Sequence, residues 1–244
     1  MSRTDADVWL NYLNAVGILL HFPDVDGLED IIILNPNWAR IMAYKVLDSE
    51  LVITNGGEFT KDDCDTIWPN SNIHFQLISL LKKIELCYEI KINFEIKYLV
   101  PALFPNDYPD KFPAIEKLSG IDSLSKVNIE CLFSPIIPPG LLYRLIFRQH
   151  SFIYKLFRSK KGVVFFLENE NTFSEIKEHW KDNSISICLH GSRVDFLVEL
   201  ILNEIQLIIK EIKKNPYFTS LKYSINVLCN CEKRQKNVNM IILK

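Results

Sequence analysis

The chain has 244 residues, of which 48% are hydrophobic and 24% charged, and its formal net charge is −2. This composition is that of an ordinary globular protein, and a chain of this length can bury a core without disulfide or metal staples. It excludes collagen-like and disordered proteins, and no uncharged stretch reaches the roughly 18 apolar residues of a membrane span. The N-terminal residues contain no apolar stretch behind a basic start, so we expect no secretory signal and a cytoplasmic location.

Charge is distributed unevenly along the chain. Residues 1–120 contain 10 Lys and Arg against 18 Asp and Glu, whereas residues 121–244 contain 18 against 12. Between these halves lies the only proline cluster, at positions 101, 105, 109 and 113, where regular secondary structure is disfavoured. We therefore predict an acidic first subdomain over residues 1–110 and a basic second subdomain over residues 111–244, with the boundary near residues 105–122.

The first predicted element is an amphipathic helix. Asp5 can cap its N-terminus, and Gly17 supplies a left-handed residue where the helix ends. Its apolar residues recur at helical spacing, so we expect this helix to bury one stripe against the core. The members of that stripe are Val8, Trp9, Tyr12, Leu13 and Val16.

Two strands and a second helix follow. The short apolar runs at residues 18–22 and 31–34 flank a turn-rich acidic segment, which predicts a pair of strands. Asn35 and Pro36 are favoured as the cap and the first residue of a helix, and Trp38 lies on its apolar face.

The rest of the first subdomain has the outline of a winged helix. Thr60 is the predicted cap of a short acidic helix, and Ser71 or Asn72 opens a third amphipathic helix. Residues 86–90 and 96–100 then predict a hairpin. A winged helix raises the alternative of a nucleic-acid-binding regulator.

Charge argues against that alternative. The candidate recognition segment holds Asp62, Asp63 and Asp65 with only Lys61 opposing them. Binding to phosphates requires clustered Lys and Arg, so we expect no nucleic-acid partner.

The second subdomain predicts an antiparallel sheet with helices. Pro138-Pro139-Gly140 introduces a helix whose leucines and isoleucine face inward, while Arg144 and Arg148 stack four residues apart on the outside. Strand signals recur at residues 127–133, 151–157, 162–167, 184–189, 221–228 and 238–243. Helices packed on such a sheet give an α+β fold, with a winged-helix-like first subdomain and an antiparallel-sheet second subdomain that carries a long packed helix.

The longest predicted helix covers residues 193–214, with Ser192 as its cap and Asn215-Pro216 as its end. A broad apolar stripe runs along one side, and a second stripe of Phe196, Leu200 and Leu207 lies apart from it. One sheet cannot cover both stripes, so the second requires another layer, either from within the chain, the commoner case, or from a partner.

No motif in the chain anchors catalysis. The glycine-rich phosphate loops and the His-Glu-x-x-His zinc motif are missing, and Gly191-Ser192-Arg193 lacks the form of a nucleophile elbow. Cys229 and Cys231 lack zinc-ligand spacing, and the remaining cysteines sit singly in apolar patterns as small buried residues. We therefore predict no catalytic residues, no cofactor and no metal, and expect that the isolated chain binds neither guanine nucleotide nor magnesium.

The order of these segments resembles the COR domain, the C-terminal of Roc region, of Roco proteins. The likeness of the first subdomain is carried by Gly17-Ile18-Leu19-Leu20-His21-Phe22, Asn35-Pro36-Asn37-Trp38, Gly56-Gly57-Glu58-Phe59 and Tyr98-Leu99-Val100-Pro101. That of the second is carried by Pro139-Gly140-Leu141-Leu142-Tyr143-Arg144-Leu145-Ile146. The family commonly has a Trp-Arg-x-Gly hairpin, whereas here Phe157-Arg158 is followed by Gly162, which leaves the register of this hairpin open.

This resemblance implies a non-catalytic dimerisation and regulatory domain. It would follow a Ras-like GTPase domain in the same polypeptide, often between leucine-rich repeats and a kinase. The first subdomain would contact the GTPase domain through Ile31, Ile32, Ile33 and Trp38. The second would form a homodimer, with Phe196, Leu200, Leu207, Arg144 and Arg148 at its interface. A downstream effector such as a kinase would respond to the dimer state.

Overall fold

The computed structural model describes residues 3–69, 71–92, 94–108, 125–228 and 238–239. It divides into two compact units, Met1–Phe104 and Pro105–Lys244. The predicted change of subdomain at residues 110 and 111 lies outside the described residues. None of the described helices is long and apolar enough to cross a membrane.

The first unit contains five helices and five strands in its described part. In chain order these are α1 (Arg3–Val16), β1 (Leu20–His21), β2 (Ile32–Ile33), α2 (Pro36–Leu47), α3 (Glu50–Thr54), β3 (Glu58–Phe59), α4 (Cys64–Ile67), α5 (His74–Lys83), β4 (Tyr88–Ile92) and β5 (Glu95–Leu99). Strands β1 and β2 pair antiparallel, and the other three form a sheet in the order β3-β5-β4. The predicted strand pair and hairpin are confirmed with shorter or shifted bounds.

Side-chain capping marks the starts of α2 and α3 in this unit, whereas α4 and α5 have no side-chain cap. The Asn35 side chain accepts a hydrogen bond from the backbone N–H of Asn37 at 3.0 Å, and Pro36 opens α2, which confirms the predicted cap. The prediction that Thr60 caps α4 is wrong. The Asp63 carboxylate accepts bonds from the Thr60 backbone N–H at 2.7 Å and from its hydroxyl at 2.8 Å, so Thr60 is the donor.

Helix α5 begins at His74, later than the predicted start at Ser71 or Asn72. The aromatic core of this unit lies beneath it. The Trp68 indole N–H donates to the carbonyl of Met42 at 3.0 Å, and its ring meets that of Phe59 edge-on at 6.4 Å. Gly57 has a φ of +86°, and a Cβ there would lie 2.7 Å from the Val100 carbonyl oxygen, so the turn requires glycine.

The second unit is built on a seven-stranded antiparallel sheet. Its elements are β6 (Ser125–Ser134), α6 (Leu141–Arg148), β7 (Ile153–Ser159), β8 (Gly162–Leu167), β9 (Thr172–His179), β10 (Ser184–Gly191), α7 (Val194–Ile212), β11 (Lys222–Leu228) and β12 (Val238–Asn239). The sheet order is β12-β11-β6-β10-β9-β8-β7. Together with the helices of both units, it confirms the α+β fold class.

The sequence pattern did not predict strand β9, nor helix α3 and strand β3 of the first unit. Strand β9 lies between β10 and β8 and carries the carboxylates Glu175 and Glu178 on its opposite faces. The register of the β7–β8 hairpin, which the sequence left open, is set by pairing of Arg158 with Val163 and of Ser159 with Gly162. The loop of this hairpin is therefore Lys160-Lys161.

Helix α7 packs its predicted broad stripe on the sheet. The buried members of that stripe are Val194, Leu197, Ile201, Ile205, Ile208 and Ile209. Ser192 is not the cap of this helix, which corrects the prediction. Its hydroxyl donates to the Glu170 carbonyl, while the backbone N–H of Arg193 donates to the Thr172 hydroxyl at 3.0 Å.

Glu178 is a buried carboxyl group. Its residue is 7% exposed and lies opposite the fully buried Ile185 in the strand pairing. Burial disfavours the charged form and raises the pKa of Glu178 to about 7. Between about pH 4.5 and pH 7 the protonated form is therefore favoured in the fold, whereas the ionised form is favoured in the unfolded chain.

The substitution Glu178→Gln tests this burial cost. In the folded state the pKa of the carboxyl is raised, so its cost is absent below about pH 4.5 and grows until the pH passes about 7. We expect little change in stability at about pH 5 and a gain of about 2–3 kcal/mol at about pH 8, measured by urea unfolding. The exposed Glu168→Gln is the control. An equal effect of Glu178→Gln at both pH values would contradict the assignment.

Candidate interaction surfaces

The predicted burial of the single cysteines is confirmed for three of them, whereas Cys188 is only half-buried. Cys64, Cys87 and Cys131 are buried, and desolvation raises the pKa of the Cys87 and Cys131 thiols to about 12. Cys229 and Cys231 lie outside the described residues. Among the residues that are described, no group of three or more His, Cys, Asp or Glu side chains could hold a metal ion.

The four residues predicted to face a GTPase domain occupy different environments. Ile33 is buried, and Ile31 and Trp38 are half-buried against the same small core cluster. Ile32 is 46% exposed. The alternation along β2 turns it away from that core. Of the four residues, Ile32 is therefore the one placed to contact a partner, and its neighbour Leu34 is exposed as well.

Helix α1 exposes the stripe that was predicted to be buried. Its exposed apolar residues are Val8, Trp9, Tyr12 and Val16, which we call the α1 face. The Trp9 and Tyr12 rings meet edge-on, with their centroids 6.0 Å apart. The prediction of burial in the core is thus wrong for this face. Clustered exposed aromatic side chains of this kind are typical of a protein–protein contact.

A polar contact holds α1 in place with the α1 face outward. The Asn14 side chain donates to the carbonyl of His21 at 2.9 Å and accepts from the backbone N–H of His21 at 3.1 Å. Asn14 therefore acts as an extra strand residue beside β1. Because His21 pairs with Ile32, the α1 face and Ile32 belong to one connected substructure.

On the second unit, the outer stripe of α7 is also unburied. Phe196 is 42% and Leu207 52% exposed, and Leu200 is half-buried. The sheet covers only the opposite stripe of the helix. The described part of the chain thus leaves these predicted interface residues available to a partner.

Arg144 and Arg148, in contrast, are engaged within the chain. Arg148 contacts Glu204 at 3.1 Å and Glu211 at 2.6 Å, and Arg144 also pairs with Glu211. Hydrogen bonds from Arg148 and Arg144 lower the pKa of Glu211. The prediction that both arginines lie on an open surface is therefore wrong, because they join α6 to α7. Their part in a dimer interface stays a prediction.

The chain matches two family models, one in each unit. Residues 1–104 match the model described as C-terminal of Roc, COR-A domain, and residues 125–244 match C-terminal of Roc, COR-B domain. These matched ranges follow the division of the structure at Phe104 and Pro105.

The chain is also similar to curated proteins and to a solved structure, and one of these proteins and the structure have Roc and COR in their names. The chain is 31% identical over 203 residues to a Roc-COR-CHAT protease of Runella zeae, covering 79% of this chain and 20% of that protein. It is 26% identical over 186 residues to the probable serine/threonine-protein kinase pats1 of Dictyostelium discoideum, covering 72% of this chain and 6% of that protein. The structure of Methanosarcina barkeri Roco2 RocCORdC bound to GDP matches with 28% identity and a TM-score of 0.36, covering 42% of this chain and 33% of that chain. The chain thus spans a fifth or less of the length of these two relatives.

The ion pairs between α6 and α7 give a stability test. Arg148 and Glu204 are both half-buried, and Gln149 also donates to Glu204 at 2.9 Å. Removing the guanidinium leaves a half-buried carboxylate without its cation, so Arg148→Ala should lower the free energy of unfolding by about 1–3 kcal/mol. Adding Glu204→Gln should recover part of that loss in a double-mutant cycle. The more exposed Arg144→Ala is the matched control and should cost less than about 1 kcal/mol in the same urea titration. Equal losses for the two arginines would contradict this assignment.

Proposed function

Because the chain belongs to the COR family of Roco proteins, we propose that it couples a Roc GTPase domain of the same polypeptide to dimer state and to a downstream effector. The observation that carries this proposal is the match of COR-A and COR-B models to the two units. A COR domain is a non-catalytic region of such proteins, so the chain contributes contacts and the neighbouring domains contribute chemistry.

The first unit is the proposed docking site for the GTPase domain. The exposure of Ile32 and of the α1 face supports this role, since an apolar surface of this kind is costly in water. Asn14 fixes the α1 face to β1, and Ile32 pairs with His21 of the same strand, so a docked domain would meet a preformed surface.

Amide exchange with a Roc domain added in trans tests the docking. A Roc domain taken from the Roc-COR-CHAT relative should slow exchange over residues 5–18 and 31–42. Ile32→Asp places a charge in the contact and should weaken binding about tenfold or more. Ile53→Asp, at an exposed isoleucine of α3 in the same unit, is the control and should bind as the unchanged chain does.

Two results would count against this docking site. Protection confined to other parts of the first unit would move the contact elsewhere. Absence of binding by a folded Roc domain would remove the support for coupling through this unit.

The second unit is the proposed dimerisation module. The outer stripe of α7 supports this role, because Phe196 and Leu207 are exposed on the described surface. Burial of a few hundred Å² at about 25 cal/mol per Å² gives a few kcal/mol, which is a reversible association once its entropy cost is subtracted. Reversibility is what control by nucleotide state requires.

Light scattering at about 100 μM tests the dimer, since mass action favours it at high concentration. We expect a dimer for the unchanged chain and a folded monomer for Leu200→Glu, because a charge would enter the contact between two copies. Leu207→Glu, at a more exposed position, should give the same result if Leu200→Glu fails to fold. Leu156→Glu, at an exposed leucine of β7, is the control and should remain a dimer. A monomeric unchanged chain at this concentration would overturn the dimer.

The relatives differ in the catalytic domain that their names give, which is a protease in one and a kinase in the other. Among the relatives described above, the greater identity and coverage belong to the Roc-COR-CHAT protease, whereas a smaller share of the chain matches a kinase. We therefore infer a protease domain as the effector in preference to the kinase that the family resemblance implied. The flanking coding sequence tests both this effector and the upstream GTPase. The alternative function, a nucleic-acid-binding regulator, is favoured by none of these relatives.

A further inference from the structure

The exposed side of α7 has a symmetric pattern of side chains. Five of the exposed residues of this helix lie along one line, at spacings of three, four, four and three residues. They are Phe196, Glu199, Asn203, Leu207 and Lys210. At about 100° per residue, all five lie within about 40° of Asn203 around the helix axis. The spacing of the exposed positions is therefore symmetric about Asn203, at four and seven residues in each direction.

We propose that a second copy of this chain packs its α7 antiparallel against this one, with the two-fold axis at Asn203. This inference rests on the dimer proposed above and assigns its geometry. In an antiparallel pair centred on one residue, a side chain seven positions before the centre meets the partner's side chain seven positions after it. Phe196 then packs beside the partner's Lys210 and, one turn away, the partner's Leu207. The two copies of Asn203 face each other and can exchange amide hydrogen bonds.

Charge favours this orientation and identifies the occupant as a second copy. Arg148 and Arg144 already neutralise Glu204 and Glu211 on the C-terminal half of α7. Lys210 has no ion pair among the described residues, so that half is left basic.

The N-terminal half of α7 is the acidic counterpart. Arg193 pairs with Asp195 at 3.3 Å, whereas Glu199 has no ion pair in the part of the chain that the structure describes. An antiparallel copy places Glu199 opposite the partner's Leu207 and one turn from the partner's Lys210, which its side chain can reach, twice in each dimer. A parallel copy would place the two glutamates together, which is unfavourable.

A groove beside the C-terminal half can receive the partner's Phe196. It has a volume of about 630 Å³ and is lined by Asn203, Gln206, Leu207, Ile209, Lys210 and Tyr223, among others. Phe196 itself lines a second groove together with Arg193 and is 42% exposed, so part of its ring is open to a partner. An aromatic side chain entering a groove in the partner is the usual anchor of a small interface.

Cysteine cross-linking of the full chain tests this geometry. Asn203→Cys, in a background where Cys188, Cys229 and Cys231 are serine, places the two new thiols at the two-fold axis. Mild oxidation should convert most of the protein to a covalent dimer on non-reducing gels. Tyr217→Cys in the same background is the control, because Tyr217 is 90% exposed and lies away from the axis; it should cross-link at least fivefold more slowly.

A charge swap supplies an independent readout. Glu199→Lys and Lys210→Glu should each weaken the dimer by about threefold to tenfold in dilution light scattering, since each creates two like-charge pairs. The double variant restores opposite charges and should return to within about threefold of the unchanged chain.

The outcomes separate this inference from the proposed dimer. A dimer with no cross-link at position 203 and no rescue by the swap overturns the antiparallel pairing and leaves dimerisation intact. Equal cross-linking at positions 203 and 217 also overturns the pairing, since the thiols would then meet by collision. Protection of α7 that appears only when a Roc domain is added would assign this helix face to the GTPase. A monomeric chain would overturn both proposals.

Discussion

The packing of α7 on the seven-stranded sheet is the interaction on which the second unit depends. Six fully buried aliphatic side chains fix the rotation of this helix about its own axis. Once that rotation is set, the arginines of α6 can reach Glu204 and Glu211, and Phe196 and Leu207 must point away from the sheet. The interior of the unit therefore determines which residues a partner can meet.

In the first unit, too, contacts inside the unit determine which apolar side chains are exposed, but hydrogen bonds take the place of core packing. Its helix α1 is joined to β1 by the paired hydrogen bonds of one side chain, Asn14, and not by burial of its aromatic residues. Two such hydrogen bonds contribute about 1–3 kcal/mol together. They hold the helix beside β1 while its most apolar side faces outward. Both units thus keep apolar surface outside their cores, and a regulatory domain that works by contact needs such surface.

Sequence periodicity predicted the faces of the helices better than it predicted their surroundings. The inner stripe of α7 was found because its spacing is regular and its length leaves little ambiguity. The same reasoning placed the aromatic stripe of α1 in the core. Helical spacing identifies an apolar face, but it does not show whether the core of the same unit or a partner protein covers that face. Arg144 and Arg148 were assigned to the outside for the equivalent reason, because spacing within one helix says nothing of Glu204 on another.

Strand β9 was missed because buried charge breaks the binary pattern. Glu175 and Glu178 lie on opposite faces of a strand inside the sheet, so neither face reads as apolar. Burial raises the pKa of Glu178 and so lowers the cost of enclosing it, an effect that depends on its tertiary surroundings. The prediction of the cap of α4 failed for a similar reason. Thr60 and Asp63 are both residue types favoured as caps, and only the three-dimensional geometry shows that Thr60 donates and Asp63 accepts.

The size of the two proposed contacts bears on how nucleotide state could control the dimer. A ligand shifts an equilibrium only by its difference in affinity for the two states, and each tenfold shift needs about 1.4 kcal/mol. A pair of single helices with one aromatic anchor on each side gives an association of only a few kcal/mol after its entropy cost. A change of about 1–3 kcal/mol at the first unit, the typical size of an allosteric coupling, is then sufficient to change the population of dimer severalfold or more. A large hydrophobic interface would resist the same signal, so the narrow, partly charged stripe of α7 suits a regulated dimer better than a permanent one.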